Sequence, residues 1–283
     1  MAERDWYSWH APYDDPNSGL SRRLAWVQDR IRAALDEAPP GPIRAISICA
    51  GQGRDLIGVL PDHPRRGDVS ARLVELDPRN IEIARRLAWV QDRIRAALGE
   101  APPGPIRAIS ICAGQGRDLI GVLPGHPRCG DVSARLVELD PRNIEVARRL
   151  AAEAGLATME IVLGDAALTS QYADLAPAGL VLACGLFGNM TNADIERTIG
   201  FCPRLCATGG TVVWTRGRWE PDLVPQVCAW FEERGFARVW LSDPRYGQCC
   251  GAHRFTGTPA PLERDAVMFT FTSHDVKHGP RRT

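Results

Sequence analysis

The chain has 283 residues, 45% of them hydrophobic and 24% charged, a soluble-globular profile that excludes a disordered or fibrous protein and allows one large domain or two small ones. Thirty-four basic and thirty-four acidic residues cancel. No electrostatic footprint therefore marks a nucleic-acid backbone or an anionic membrane as partner, and a small-molecule partner is expected.

The amino terminus, MAERDWYSWH, carries acids where a secretory signal needs an apolar run. The longest apolar stretch, about 178–188, is shorter than the roughly 18 residues of a spanning helix. A cytoplasmic protein is expected, with its nine cysteines as reduced thiols. Cys202 and Cys206 are four apart and Cys249 adjoins Cys250, but no paired CxxC knuckle occurs, so no metal site is predicted. Lys277 is the only lysine beside many arginines, alanines and glycines, a skew typical of a GC-rich bacterial coding sequence.

Arg22–Ala84 reappears as Arg85–Ala147, identical at 59 of 63 positions. The differences are Asp36/Gly99, Asp62/Gly125, Arg66/Cys129 and Ile83/Val146. RRLA recurs at 22, 85 and 148, the junction a tandem duplication leaves. Two units followed by unrelated sequence do not make a solenoid, which needs three or more.

Each copy reads helix, strand, glycine turn, helix, strand, helix. Leu87, Val90, Ile94 and Leu98 recur at helical spacing, and Pro102, Pro103 and Pro105 stop that helix. Arg79–Leu98 contains neither Gly nor Pro, so the last helix of copy one should fuse with the first of copy two. IRAISICA (106–113) is a β-branched run ending in the GQG turn, and SARLVELD (133–140) is the next strand. Pro141 opens a helix that Gly155 closes. Strands follow at 159–166, 179–185, 209–215, 236–243 and 266–272, with helices from Asn192 and over 222–234. This alternation predicts an α/β, three-layer, Rossmann-like sheet of seven strands, mostly parallel with an antiparallel C-terminal strand, plus a duplicated β-α-β segment. Ligand is expected at the carboxyl ends of the strands. The predicted organisation is an aromatic segment at 1–21, the duplicated half-sheet at 22–84, the main domain at 85–275 and a tail at 276–283.

ICAGQGRDL, LVELDP, LGDA, LVLACG and CATGGTVVWT follow one another in an order and spacing that resembles the class I S-adenosylmethionine-dependent methyltransferases over about 85–272. The resemblance implies S-adenosylmethionine as cofactor and methyl transfer as the reaction. It implies that Ala113, Gly114 and Gly116 line the methionine part of the cofactor and that Glu138 takes the ribose diol, with Asp140 the competing choice. Asp165 and Ala166 match the adenine end, and Cys184 and Gly185 the cofactor-facing end of the fourth strand. Ser110 stands where the family often has an acid, and Cys112 where it has its first glycine. GQGRDL lacks the small third position of a dinucleotide fingerprint, which disfavours the alternative of an NAD(P)-dependent oxidoreductase. An inactive cofactor-binding or self-associating protein is the non-enzymatic alternative.

Catalytic candidates are His10, Tyr13, Asn189 and His253, for which surface or packing roles compete. Ala50, Gly51, Gly53 and Glu75 duplicate the loop residues of copy two. Only copy two leads into the third strand through one helix of ordinary crossover length, so it is expected to be the working copy. A swapped arrangement built on copy one, beside the aromatic segment, is the alternative. The spare copy would leave an open strand edge and a liability to self-association.

Overall fold

The computed structural model describes residues 12–13, 15, 18–60 and 63–271. In chain order the helices and strands are α1 (Gly19–Glu37), β1 (Ile43–Ile48), α2 (Arg54–Ile57), β2 (Val69–Val74) and α3 (Pro78–Glu100). Then come β3 (Ile106–Ile111), α4 (Arg117–Ile120), β4 (Val132–Glu138), α5 (Pro141–Glu153), β5 (Met159–Leu163) and β6 (Ala178–Ala183). The chain continues with α6 (Asn192–Leu205), β7 (Cys206–Gly217), α7 (Val224–Glu233), β8 (Phe236–Leu241) and β9 (Gln248–Phe255).

Seven strands form one sheet in the order β5-β4-β3-β6-β7-β9-β8, while β1 and β2 form a separate parallel pair. β9 runs antiparallel to both of its neighbours, and the pairings among β3 to β7 are parallel. β3 lies inside the sheet between β4 and β6, and five of its six side chains are buried, as in a strand covered on both faces. One face packs Ile109, Ile111, Val137, Val181 and Trp214 against residues of α6 and α7. The other packs Ala108, Leu136, Leu180 and Leu182 against α3, α4 and α5.

Copy two therefore supplies the sheet. Its β4 reaches β5 through α5, whose first turn is fixed by Asp140 accepting from Arg142 N at 2.9 Å and whose end is turned by Gly155 at φ 67°. The fused helix is also present, with α3 running unbroken from a Pro78 start capped by Asp77.

Two strands differ from the expectation. Residues 266–271 form only isolated bridges, Leu168 to Val267 and Met190 to Phe271. Met268 and Phe269 are both buried, and Met268 N donates to Ala167 O at 2.8 Å, so this segment lies over the α6 side of the sheet rather than extending it. The antiparallel strand is QCCGAHRF instead. Its glycine and alanine are poor strand formers, and its only aromatic strand former is the terminal Phe255. Burial between β7 and β8 decides its state.

Candidate active site

The carboxyl ends of β3, β4, β5, β6 and β7 meet at one edge of the sheet. After β3 the backbone turns sharply, with Cys112 at φ 52°, Gly114 at φ 55° and Gly116 at φ 67°. The two glycines serve different purposes. A Cβ on Gly114 would meet nothing within 4 Å, so this glycine leaves backbone open to a ligand. A Cβ on Gly116 would lie 2.5 Å from Leu136 and 2.9 Å from Ile120, so this one lets α4 pack on the sheet.

Glu138, at the end of β4, ties the loop in place. Its Oε2 accepts from Gly114 N at 2.8 Å and its Oε1 from Asp140 N at 2.9 Å. Each oxygen keeps a lone pair for a donor such as a ribose hydroxyl. Asp140 is engaged differently. Its carboxylate pairs with Arg142 at 2.6 Å, and the hydrogen bonds from Arg142 hold its pKa at about 2. Leu139 and Leu163 stand exposed just past β4 and at the end of β5, apolar surface that a ring system could cover.

Asp165 follows β5, and its Oδ1 accepts from Ala167 N at 2.9 Å, while Ala166 O accepts from the buried Tyr172 hydroxyl at 2.9 Å. The Cys112 thiol is pushed up to about 12, chiefly by burial and further by the charges of Glu138 and Asp165. Glu138 is thus bonded to the glycine turn, and Asp165 is near enough for its charge to be felt at Cys112. Past β6, Gly185 is at φ 75°, its N donating to Thr215 Oγ1 at 2.7 Å and its O accepting from Asn189 Nδ2 at 3.0 Å. Burial raises the Cys184 thiol well above its ordinary value. Among the described residues no group of three or more His, Cys, Asp or Glu side chains could hold a metal ion.

A family model described as "Putative methyltransferase" matches residues 79–239, more than half of the chain and the whole of copy two. This chain belongs to that methyltransferase family. It is of the class I type, whose cofactor is S-adenosylmethionine. Among solved structures, the chain resembles a protein from Bordetella parapertussis described as a possible exported protein, at 18% identity and TM-score 0.50, over 85% of this chain and 98% of that one. It also resembles the precorrin-6y C5,15-methyltransferase of Geobacter metallireducens, at 14% identity and TM-score 0.43, over 57% of this chain and 87% of that one. An O-methyltransferase family protein from Burkholderia thailandensis aligns at 14% identity and TM-score 0.47, over 83% of this chain and 70% of that one. Curated protein sequences give no match.

The methyltransferase thus brings Ala113, Gly114, Glu138, Asp165, Ala166, Cys184 and Gly185 to one edge of its sheet, with Gly116 shaping the loop and Asp140 capping α5. Asn189 lies beside Gly185. The other catalytic candidates do not gather there. His253 lies five residues into β9, opposite Val212, and away from that edge. It is fully buried, with Nδ1 accepting from Trp214 Nε1 at 3.0 Å and its ring stacked on Phe231 at 4.7 Å. Burial lowers its pKa to about 4, so it is a neutral core histidine at physiological pH. Tyr13 is drawn to the other copy: the Arg54 guanidinium sits 5.6 Å from its ring centroid, next to Gly53. His10 lies outside the described residues.

Asp118, which no spacing marks in the sequence, is a partly buried carboxyl at the start of α4. Burial raises its pKa to about 6, partly offset by hydrogen bonds from the backbone and the charge of Arg86. Its own charge is felt at Cys184. Because the folded value exceeds the ordinary 3.8, the folded chain holds the proton more tightly than the unfolded chain. That preference stabilises the fold at low pH and is lost as pH rises through about 6. Asp118→Asn should therefore match wild type below pH ~4 and exceed it by up to about 3 kcal/mol at pH ~8. Thermal melts across that range check the sign; a variant less stable at both ends would refute it.

Proposed function

We propose that the methyltransferase transfers the methyl group of S-adenosylmethionine to a small-molecule acceptor, with the cofactor held by copy two. The observation that carries this reading is the Gly114–Glu138 cradle. An open left-handed glycine lies under a carboxylate with spare lone pairs, at the same sheet edge as Asp165 and Gly185. These residues fit the cofactor. Gly114 leaves room for the methionine part, Glu138 suits the ribose diol, and Leu139 and Leu163 offer apolar cover for the adenine, with Asp165 nearby.

The cofactor supplies a methyl group bonded to a sulfonium, so the reaction needs little bond chemistry from the protein. What the chain contributes is alignment of the acceptor and exclusion of water. A cleft of about 270 Å³ lined by Arg79, Glu82, Ile83, Arg86 and Gln248 lies beside the start of β9, which is at the cofactor edge. Its walls come largely from the copy-one half of α3. Its size supports a small acceptor, as does the absence of net positive charge.

Calorimetry with S-adenosylmethionine, S-adenosylhomocysteine and NADH tests the reading. One site per chain for the first two and none for NADH is expected; binding of NADH alone would overturn it. The second test is deletion of 22–84, which joins 1–21 to Arg85 and leaves one half-sheet set. The shortened chain should fold and keep its affinity for S-adenosylhomocysteine within a few-fold, because the proposed cradle lies wholly in copy two. Loss of folding or of binding would show that copy one is needed for it.

A further inference from the structure

The two copies place the same residues in opposite situations. In copy two, Ile109, Ile111 and Val137 are 0%, 1% and 0% exposed, while Ile46, Ile48 and Val74 of copy one are 70%, 76% and 48% exposed. Trp89 packs edge-on to Trp240 and Tyr246, at 6.2 and 5.4 Å, yet its counterpart Trp26 is 64% exposed. Arg135 holds Asp174 at 2.5 and 2.9 Å and Glu160 at 2.8 Å, whereas Arg72 is exposed. β3 has β6 on its edge, and among the described residues β1 pairs only with β2.

Every one of these copy-two partners lies between Met159 and Phe271. The surface left open on copy one is thus the docking surface for that half of the chain, already seen occupied once. None of the four positions at which the copies differ lies on β1, β2 or the glycine turn. The open strand faces and strand edge are therefore an unaltered duplicate in shape, apolarity and charge. Each chain carries two such half-sheets and one complement.

We propose that copy one is the docking surface for residues 159–271 of a second copy of this chain, engaged by domain exchange. The hinge is the 154–158 connection between α5 and β5, which contains Gly155 at φ 67°. Opening it lets β5 and β6 of one chain pair with β2 and β1 of the other, in the register they hold with β4 and β3. The 159–271 half leaves one half-sheet and covers an identical one, so the exchanged and unexchanged forms bury the same surfaces and have nearly the same energy. A chain that has donated its 159–271 half exposes its own copy two, which accepts the next donor. The product is a dimer if donation is reciprocal and a longer chain of protomers if it is not. On the reading of the cofactor site given above, exchange also brings Gly51 and Glu75 beside the donor's Asp165 and Gly185.

The test is refolding of the full chain from denaturant at increasing protein concentration, followed by size-exclusion chromatography with light scattering. Wild type should give oligomers whose fraction rises with refolding concentration and which persist after dilution, because separation requires β5 and β6 to unpair from the other chain's half-sheet. Ile48→Asp and Arg72→Glu change side chains that are exposed in the monomer. Each should leave its melting temperature and its S-adenosylhomocysteine affinity unchanged while abolishing the oligomers. Three results would overturn the proposal. The first is a wild type that stays monomeric at every concentration, the result also given by docking of the chain's own half on copy one. Oligomers dissolving on dilution would mean simple adhesion of the apolar face. Oligomers surviving both substitutions would place the contact elsewhere. The three overturning results are read from oligomer size alone, so failure here leaves the methyltransferase reading intact.

Discussion

Ile109→Ala is expected to cost about 2–5 kcal/mol of unfolding free energy, and Ile46→Ala less than about 0.5 kcal/mol, although both sit in the same hexapeptide, IRAISI. Ile109 is fully enclosed by the cluster that includes Val181, Phe187 and Ile195. Truncating it forfeits buried apolar area and leaves a cavity that the surrounding helices and strands only partly close. Ile46 is mostly in water already, so its truncation removes little burial. Denaturant titration of the two variants at low protein concentration, where chains remain separate, measures the difference. Equal costs would mean that copy one is covered in solution or that copy two is not the half-sheet in the core.

Glu138→Ala is expected to weaken S-adenosylhomocysteine binding by about 10- to 100-fold, and Glu75→Ala to leave it unchanged. The magnitude follows from losing charge-assisted hydrogen bonds to a ribose diol, each set contributing about 1.5–3 kcal/mol. Local geometry does not separate the two acids. Glu75 Oε2 accepts from Gly51 N at 2.6 Å and Oε1 from Asp77 N at 2.9 Å, as Glu138 does with Gly114 and Asp140. What separates them is the rest of the pocket. Asp165 and Gly185 follow strands that join β4 and β3, and among the described residues no such strands adjoin β2 and β1. A half-cradle contacts one side of the nucleoside and leaves the other in water, so little binding energy remains after the ligand is immobilised. Calorimetry on both variants decides the point. Equal loss on Glu75→Ala would assign the cofactor to copy one.

Most of the architecture is legible in the chain. Strands alternating with helices of crossover length predict a covered parallel sheet, and the order of GQG, ELD, GDA, ACG and the GG-led strand predicts the family. The two strands that depart from expectation have a common cause. Residues 266–272 alternate like a strand, but the sheet position they would fill belongs to β9, whose composition gives no strand signal. Propensity is a weak local preference, and a segment's state follows from which edge is free when it arrives. His253 departs for a related reason. A histidine can titrate in a site or stack in a core, and only its neighbours, Trp214 and Phe231, make the choice. Asp118 gives no sequence signal because its raised pKa comes from burial, which leaves no mark in spacing.

The duplication draws the line most clearly. By itself the sequence determined each copy's local form: both strands, the left-handed glycine turn, the carboxylate tying that turn, and the unbroken helix joining the copies. These features rest on interactions within about 25 residues, so two near-identical segments build them identically. The residues of the copies themselves could not determine which one enters the seven-stranded sheet, because 59 of 63 are the same; only the order of the chain, with one crossover helix between copy two and β5, favoured copy two. The tertiary structure decided it. β6 and the residues of α6 that cover the sheet exist once per chain, and the short α5 crossover places copy two beside them. One Ile-Arg-Ala-Ile-Ser-Ile became a core strand and the other an open edge, since burial is a property of what else is present and how far the chain must travel to reach it.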